Sequence, residues 1–438
     1  MIDDGEGQGS AAGAGWYAEA VRQDSARVWL VTAGGLICAL GLLMGRWSPA
    51  RLLDYQAWDD IPWYLDLRLP LVVCGLIIVG AIKDSRPTEL RLPPQLTLSV
   101  AFMVIALLGF TLTASVGGIE CHTDYCGQKT TDVIWLICFL FIAFCLALEP
   151  GFEDQFYLWV FLLAMVLALT GLRGAMTTVT AGSMGVTALE GGRNVFSRIL
   201  GVLAILALYY YLGARNNVLR VAMIATFGLS LGLMVLTGSR GGTAASLCGL
   251  AVAAVLFRAP MRGMLAIGFA VLIAGTVAVE LGMLDTFAKY VTDRYISRVF
   301  GQLYLSGRDT LFWDGIGMWL DHPVMGAGLG RFSEFSAMAY PHNFFVELLA
   351  EAGIIGFALL LVPLGCILNV IRRNWSTVDK RGMAIFALYA VAAQASGDIY
   401  DSRALILLPV IAACGAVIRQ AAPAITAPPQ EHPAGSAA

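Results

Sequence analysis

The chain has 438 residues, of which 58% are hydrophobic and 13% charged, with a mean hydropathy of +0.74. A soluble domain carries roughly 25% charged residues, so the composition excludes an ordinary soluble protein and predicts an all-α polytopic membrane protein. The formal charge of −3 argues against a nucleic-acid partner, which would need a basic face to displace counterions from phosphates.

The chain opens on MIDDGEGQGSAAGAGWYAEAVRQD, acidic and rich in Gly and Ala. It lacks the basic start and short apolar core of a cleaved signal peptide, so 1–26 reads as a cytoplasmic tail. Crossing the hydrocarbon takes around 20 apolar residues. Such stretches recur near 28–45, 64–82, 95–116, 133–149, 156–172, 195–213, 220–237, 241–257, 264–284, 344–371, 383–397 and 404–419, about twelve spans. The first nine fall in 27–284 and the last three in 344–420. The eleventh, interrupted by Gln394 and Asp398, and the hairpin around TGSRGG are the least regular.

Short loops rich in Lys and Arg stay cytoplasmic. With the N-terminus inside, the inside loops hold Lys83, Arg86 and Arg91; Arg215 and Arg220; Arg258 and Arg262; and Arg372, Arg373, Lys380 and Arg381. The loop EPGFEDQ is the exception, with Glu149, Glu153 and Asp154 and no cation. An even number of spans returns the Pro-, Ala- and Gly-rich stretch 421–438 to the cytoplasm, where its composition predicts disorder. Seven of the nine cysteines lie in apolar runs and behave as small hydrophobes. Cys121 and Cys126, in the outer loop GIECHTDYCGQK, are placed for a local disulfide. A metal site with His122 is the alternative, though three ligands fall short of the four of structural zinc.

Residues 285–343 form the longest break between apolar runs and lie outside under this topology. Long loops are functional or disordered. The density of aromatics, Tyr290, Tyr295, Phe300, Tyr304, Phe312, Trp313, Trp319, Phe332 and Phe335, predicts a folded cap with amphipathic helices on the membrane surface, covering a cavity.

Several residues stand out chemically. Arg173 and Arg193, in GLRGAMTT and EGGRNVFS, bracket an outer loop and could hold phosphate or sugar. Arg240, in VLTGSRGGTAASL, is a charge flanked by small residues between two apolar runs. Such a charge is costly unless it faces a watery cavity or a partner, and its small neighbours admit a close approach. The plain alternative is a hairpin arginine reaching headgroups. Arg308 precedes the helically spaced Leu311, Phe312, Gly315, Met318 and Trp319, which places it at a helix start, where backbone N–H groups favour an anion. A guanidinium there can fork onto phosphate oxygens. His322, beside a proline in a Gly-rich turn, reads as structural. His342 sits at the outer end of the tenth span and can take a proton near neutrality, or serve as an interfacial hydrogen-bonder. Glu347 and Glu351, at i and i+4 in the first turns of that span, are functional candidates by burial, more suited to bracing neighbouring helices than to sharing the histidine's proton.

Three segments, LTGSRGG, SGRDTLFWDGIGMWLDHPVMGAGLGRF and PHNFFVELLAEAGIIG, in this order and topology resemble the bacterial O-antigen ligase and O-antigen polymerase family over roughly residues 190 to 370. The resemblance implies a membrane fold related to the GT-C class and an inverting, metal-independent glycosyltransferase without a cofactor. Its donor would be an undecaprenyl-pyrophosphate-linked glycan, used at the periplasmic face of the bacterial inner membrane. It also implies roles: Arg240 and Arg308 look like the family's arginines, His342 like its histidine, and Arg193 like a further donor contact. The acceptor would be a lipid-linked repeat unit in a polymerase or lipid A core in a ligase, with a flippase and a chain-length regulator as candidate partners.

Lipid A core is densely anionic, yet the long loop balances Lys289, Arg294, Arg298, Arg308 and Arg331 against Asp293, Asp309, Asp314, Asp321 and Glu334. This balance favours the polymerase of O-antigen or exopolysaccharide over the ligase. A secondary transporter, whose site would lie near the midplane, and a non-catalytic scaffold are the readings from other classes. The lack of a long cytoplasmic connection between two six-helix halves and the clustering of the candidate residues at the outer surface argue against the transporter, and cavity-facing arginines would be wasted in a scaffold.

Overall fold

A computed structural model describes residues 9–43, 67–83, 92–116, 123–180, 186–188, 192–259, 308–336, 338–395 and 397–426. The ninth expected span, 264–284, and the first part of the long loop lie outside these residues. The described elements are α1 (Gly9–Leu43), α2 (Arg68–Lys83), α3 (Pro94–Val116), α4 (Asp124–Leu146), α5 (Phe152–Thr180), α6 (Arg193–Gly213), α7 (Asn217–Thr237), α8 (Arg240–Leu256), α9 (Arg308–Asp321), α10 (Phe332–Phe335), α11 (Phe344–Arg373), α12 (Lys380–Ala392) and α13 (Ala404–Thr426). All are helical, as an apolar solvent requires of a chain that satisfies its own backbone.

Seven of these helices are long and apolar enough to cross a membrane, and α2, α8 and α13 supply shorter apolar helices. The chain is a multi-pass membrane protein. Twelve spans are not reached among the described residues. The expected eleventh span is the main difference: α12 ends at Ala392, and its 13 residues rise about 20 Å, short of the roughly 30 Å of hydrocarbon. Beyond it the chain turns at Gly397 (φ 88°), and Asp398, Ser402 and Arg403 are buried inside the bundle. Non-helical backbone is tolerated at such a place because protein surrounds it.

The centre of the bundle is α6 and α13. From Phe196 to Leu208 every residue of α6 is buried, and so is every residue from Ser402 to Val417, the pattern of a helix apolar all round. Against them pack α7, α8 and α12, while α1 packs on α5 and α3 on α11. Exposed Ile77, Phe102, Ile105, Val221, Val255 and Val362 cover the outside of the bundle, where lipid replaces water.

The two ends of the bundle differ in charge. At one end lie the end of α2 at Lys83, Arg215 between α6 and α7, Arg220 in the first turn of α7, Arg258 after α8, Arg372 and Arg373 in the last turn of α11, and Lys380 and Arg381 in the first turn of α12. The acidic loop EPGFEDQ lies at this same end and is neutralised by it: Glu149 accepts from Arg27 at 2.8 Å, Glu153 pairs with Arg419, and Asp154 pairs with Arg381. Its lack of cations in sequence is made good by cations from three other helices.

Candidate functional site

The opposite end collects the residues expected to carry chemistry. Gly238, left-handed at φ 65°, closes α7, and Ser239 caps α8 by accepting the Gly242 N–H at 3.1 Å. Two residues therefore separate the helices and make Arg240 the first residue of α8. Ser239 Oγ also donates to Asn194 Oδ1 of α6 at 2.6 Å, which fixes the hairpin to the bundle. The glycines after Arg240 have a spatial reason. A Cβ on Gly242 would stand 2.8 Å from Ser197 Cβ, and one on Gly241 would stand 3.4 Å from Arg308 Nη1. Gly242 is needed for the close approach of α8 to α6, and Gly241 is the point at which Arg308 touches α8.

Arg308, first residue of α9, thus packs against the start of α8, close enough that the charge of Arg240 acts on it. Burial, and after it that like charge, lowers the Arg308 pKa from its ordinary value. Arg308 in turn acts on His342. Three expected residues from three separate segments are therefore brought together.

His342 lies just before α11 in a left-handed conformation, φ 58°, unusual for a residue with a side chain. Both flanks hold it there. Tyr340 packs edge-on against its ring at 4.5 Å. On the other side Asn343 caps α11 by accepting the Phe345 and Val346 N–H groups, while its Nδ2 donates to the Gln394 carbonyl at 3.2 Å and Phe344 N–H donates to the Ala393 carbonyl at 2.9 Å. Strain over-determined in this way is typical of functional positions. Burial and then Arg308 push the imidazole down to about 4, against the opposing charges of Asp401 and Asp398. His342 is neutral at pH 7 and able to accept a proton, and its Nδ1 is buried without a hydrogen-bond partner among the described residues.

Behind the histidine stands a network of which the sequence reading singled out only Glu347 and Glu351 as candidates. Tyr125, at the start of α4, stacks on Tyr340 at 6.1 Å, and its hydroxyl donates to Asp398 Oδ2 at 2.7 Å. Asp398 Oδ1 accepts the Asp401 N–H at 2.9 Å, and Asp401 pairs with the buried Arg198 of α6 at 3.5 Å. One turn below Tyr125, Lys129 pairs with both Glu347 and Glu351, the latter at 2.6 Å. Arg198 carried a legible signal, a charge inside an apolar run, whereas Lys129 lies in the polar stretch CGQKTTD and Asp398 appeared only as an interruption of a span.

Arg173 and Arg193 are exposed at this end, and no contact among the described residues joins them to Arg240, Arg308 or His342. Cys126 is disulfide-bonded; Cys121, its expected partner, and His122 lie outside the described residues. A cavity of about 640 Å³ at the basic end is lined by Tyr209, Tyr210, Arg381 and Arg419. It is remote from these residues, and its arginines are already paired with Asp154, Asp379 and Glu153.

No curated protein matches the chain. Residues 225–361 match the family model described as O-Antigen ligase, a stretch that contains Arg240, Arg308, His342, Glu347 and Glu351 and leaves out Arg173 and Arg193. The family resemblance read from LTGSRGG, SGRDTL and PHNFF is supported by this match, which spans all three segments.

Proposed function

We propose that the protein is a periplasm-facing glycosyltransferase that takes a glycan from undecaprenyl pyrophosphate and polymerises repeat units of O-antigen or exopolysaccharide. The observation that carries this reading is the convergence of Arg240 and Arg308 beside a neutral His342. Two guanidinium groups brought this near each other are placed to receive one anion between them, and a leaving pyrophosphate is such an anion. The acceptor hydroxyl oxygen attacks the anomeric carbon and forms the new glycosidic bond, and its proton passes to the His342 imidazole. The bond from the anomeric carbon to the pyrophosphate oxygen breaks on the opposite face, so the configuration inverts, and the electron pair leaves with the phosphate under Arg240 and Arg308. This arrangement asks for no metal. The periplasmic assignment is supported by the position of the cluster at the end opposite the basic loops.

The preference for polymerase over ligase is supported by the same loop. Of its cations, Arg331 is buried at 2% exposure, whereas Asp309 and Asp321 are exposed, an unfavourable surface for lipid A core. A deletion strain analysed for surface glycan tests the reading. Single repeat units on the lipid carrier are expected; full-length polymer left on the carrier would identify a ligase, and unchanged surface glycan would remove both activities.

A further inference from the structure

Among the exposed apolar side chains of the site end, one group is placed by the backbone at a definite depth. α11 is too long for one span: its 30 residues rise about 45 Å against roughly 30 Å of hydrocarbon. Gly353, at φ 62° and ψ −170°, breaks it. The stretch from Ile354 to Arg373, about 20 residues, matches the hydrocarbon thickness by itself and ends on Arg372 and Arg373. The hydrocarbon boundary on the site side therefore falls at the break.

The turn after α9 passes through that break. Ile354 N–H donates to the Pro323 carbonyl at 2.9 Å and Ile355 N–H to the Val324 carbonyl at 3.2 Å, while Ala327 and Gly328 donate to the Ala350 and Glu351 carbonyls, both at 2.9 Å. Val324 and Met325 are thereby fixed level with Ile354 and Ile355, at the edge of the hydrocarbon. Val324 is 53% and Met325 59% exposed, and their surface runs on into exposed Ile354, Ile355 and Val362 of the spanning part of α11. On α9, Leu311, Gly315 and Met318 are buried, whereas Trp313 and Leu320, seven residues apart on the other face, are exposed.

We infer that Leu320, Val324 and Met325 are inserted among the acyl chains of the leaflet on the site side, with Trp313 above them at the headgroups, so that α9 is anchored in the bilayer at its far end. The occupant is lipid because the apolar surface is continuous with that of a span, and because tryptophan favours the interface. A helix of 14 residues, about 21 Å long, then links this anchor to Arg308. The inference rests on the multi-pass fold and not on the proposed activity.

Depth-dependent quenching tests it. In a background where exposed Cys74, Cys248 and Cys366 are replaced by serine, a fluorophore is attached to Val324→Cys, Met325→Cys or, at the other end of α9, Asp309→Cys, and each protein is placed as a single copy in a phosphatidylethanolamine and phosphatidylglycerol nanodisc. At 324 and 325, lipids bearing a nitroxide on the acyl chain are expected to remove at least half the emission, with little effect of aqueous iodide; at 309 the order reverses. Equal iodide quenching at 325 and 309 overturns the inference, and it is also the result expected if the patch were a docking surface for another protein.

Discussion

Lys129 Nζ of α4 and Glu351 Oε2 of α11 stand 2.6 Å apart, both side chains at 0% exposure, and Glu347 shares the same ammonium. One cation thus serves two carboxylates directly beneath the His342 segment and ties α4 to the first part of α11. Removing one member of a buried ion pair costs about 3–5 kcal/mol, because the other charge is left without compensation. Lys129→Met is therefore expected to lower the thermal midpoint in detergent sharply, and Lys129→Met with Glu347→Gln and Glu351→Gln to recover most of it. A single variant as stable as wild type would show that the cluster contributes no cohesion.

Gly326 and Gly353 meet where the turn after α9 crosses α11, and neither has room for a side chain. Both have positive φ, and a Cβ on either would fall within the backbone of the other's segment. Gly353→Ala combines a penalty of roughly 1–3 kcal/mol, for a positive-φ, extended-ψ conformation essentially confined to glycine, with that clash. It is expected to separate the turn from α11, seen as faster amide exchange at Ile354 and Ile355, whose N–H groups donate across the break. Unchanged exchange would mean that the crossing is not held by these bonds.

His342 gives the protein a pH dependence with a defined sign. Its folded pKa is pushed down to about 4 from an ordinary 6.5, so between those values the unfolded chain binds the proton that the folded one refuses. The associated stability is fully present above about pH 6.5 and is lost as pH falls toward 4. A base of this kind keeps its proton-accepting form throughout the neutral range, so the acid limb of the rate profile is expected well below 6.5. With four histidines in the chain, selective labelling resolves the titration by NMR. One imidazole should titrate below pH 5 and move upward in Arg308→Gln, whose charge is the second cause of the shift. A His342 signal with a midpoint near 6.5 contradicts this.

What was legible in the sequence follows from how far each signal reaches along the chain. A span declares itself through its own apolar residues, and Arg240 stands out because a charge between two apolar runs is conspicuous without knowledge of its neighbours. Arg308 and His342 were found through local pattern and resemblance. The pairings behind the site were not legible, since Lys129 and Glu351 are 222 positions apart and Tyr125 and Asp398 are 273 apart, and periodicity carries no information over such distances. Hydropathy also could not show that the run 344–371 is broken, because Gly353 is as compatible with an apolar stretch as its neighbours. The short α12 was overestimated although Gln394 and Asp398 interrupt the run, because composition does not show that the chain has already turned after Ala392 to bring Asp398 to Tyr125.

Arg240 and Arg308 make the last prediction a test of purpose. Two like charges brought together oppose folding, and no ion pair relieves Arg308 among the described residues. If this proximity exists for an anionic leaving group, Arg308→Gln should raise the thermal midpoint, by of order 1 °C, while lowering glycan transfer by roughly 10²–10³-fold, the usual effect of losing one preorganised donor. Arg308→Lys keeps the charge but not the forked geometry, so it should keep the lower midpoint and still lose most of the rate. Added inorganic pyrophosphate should stabilise the wild type more than Arg308→Gln. Opposite movement of stability and rate is what a site built for an anion requires; a variant that loses both together would assign Arg308 to the scaffold.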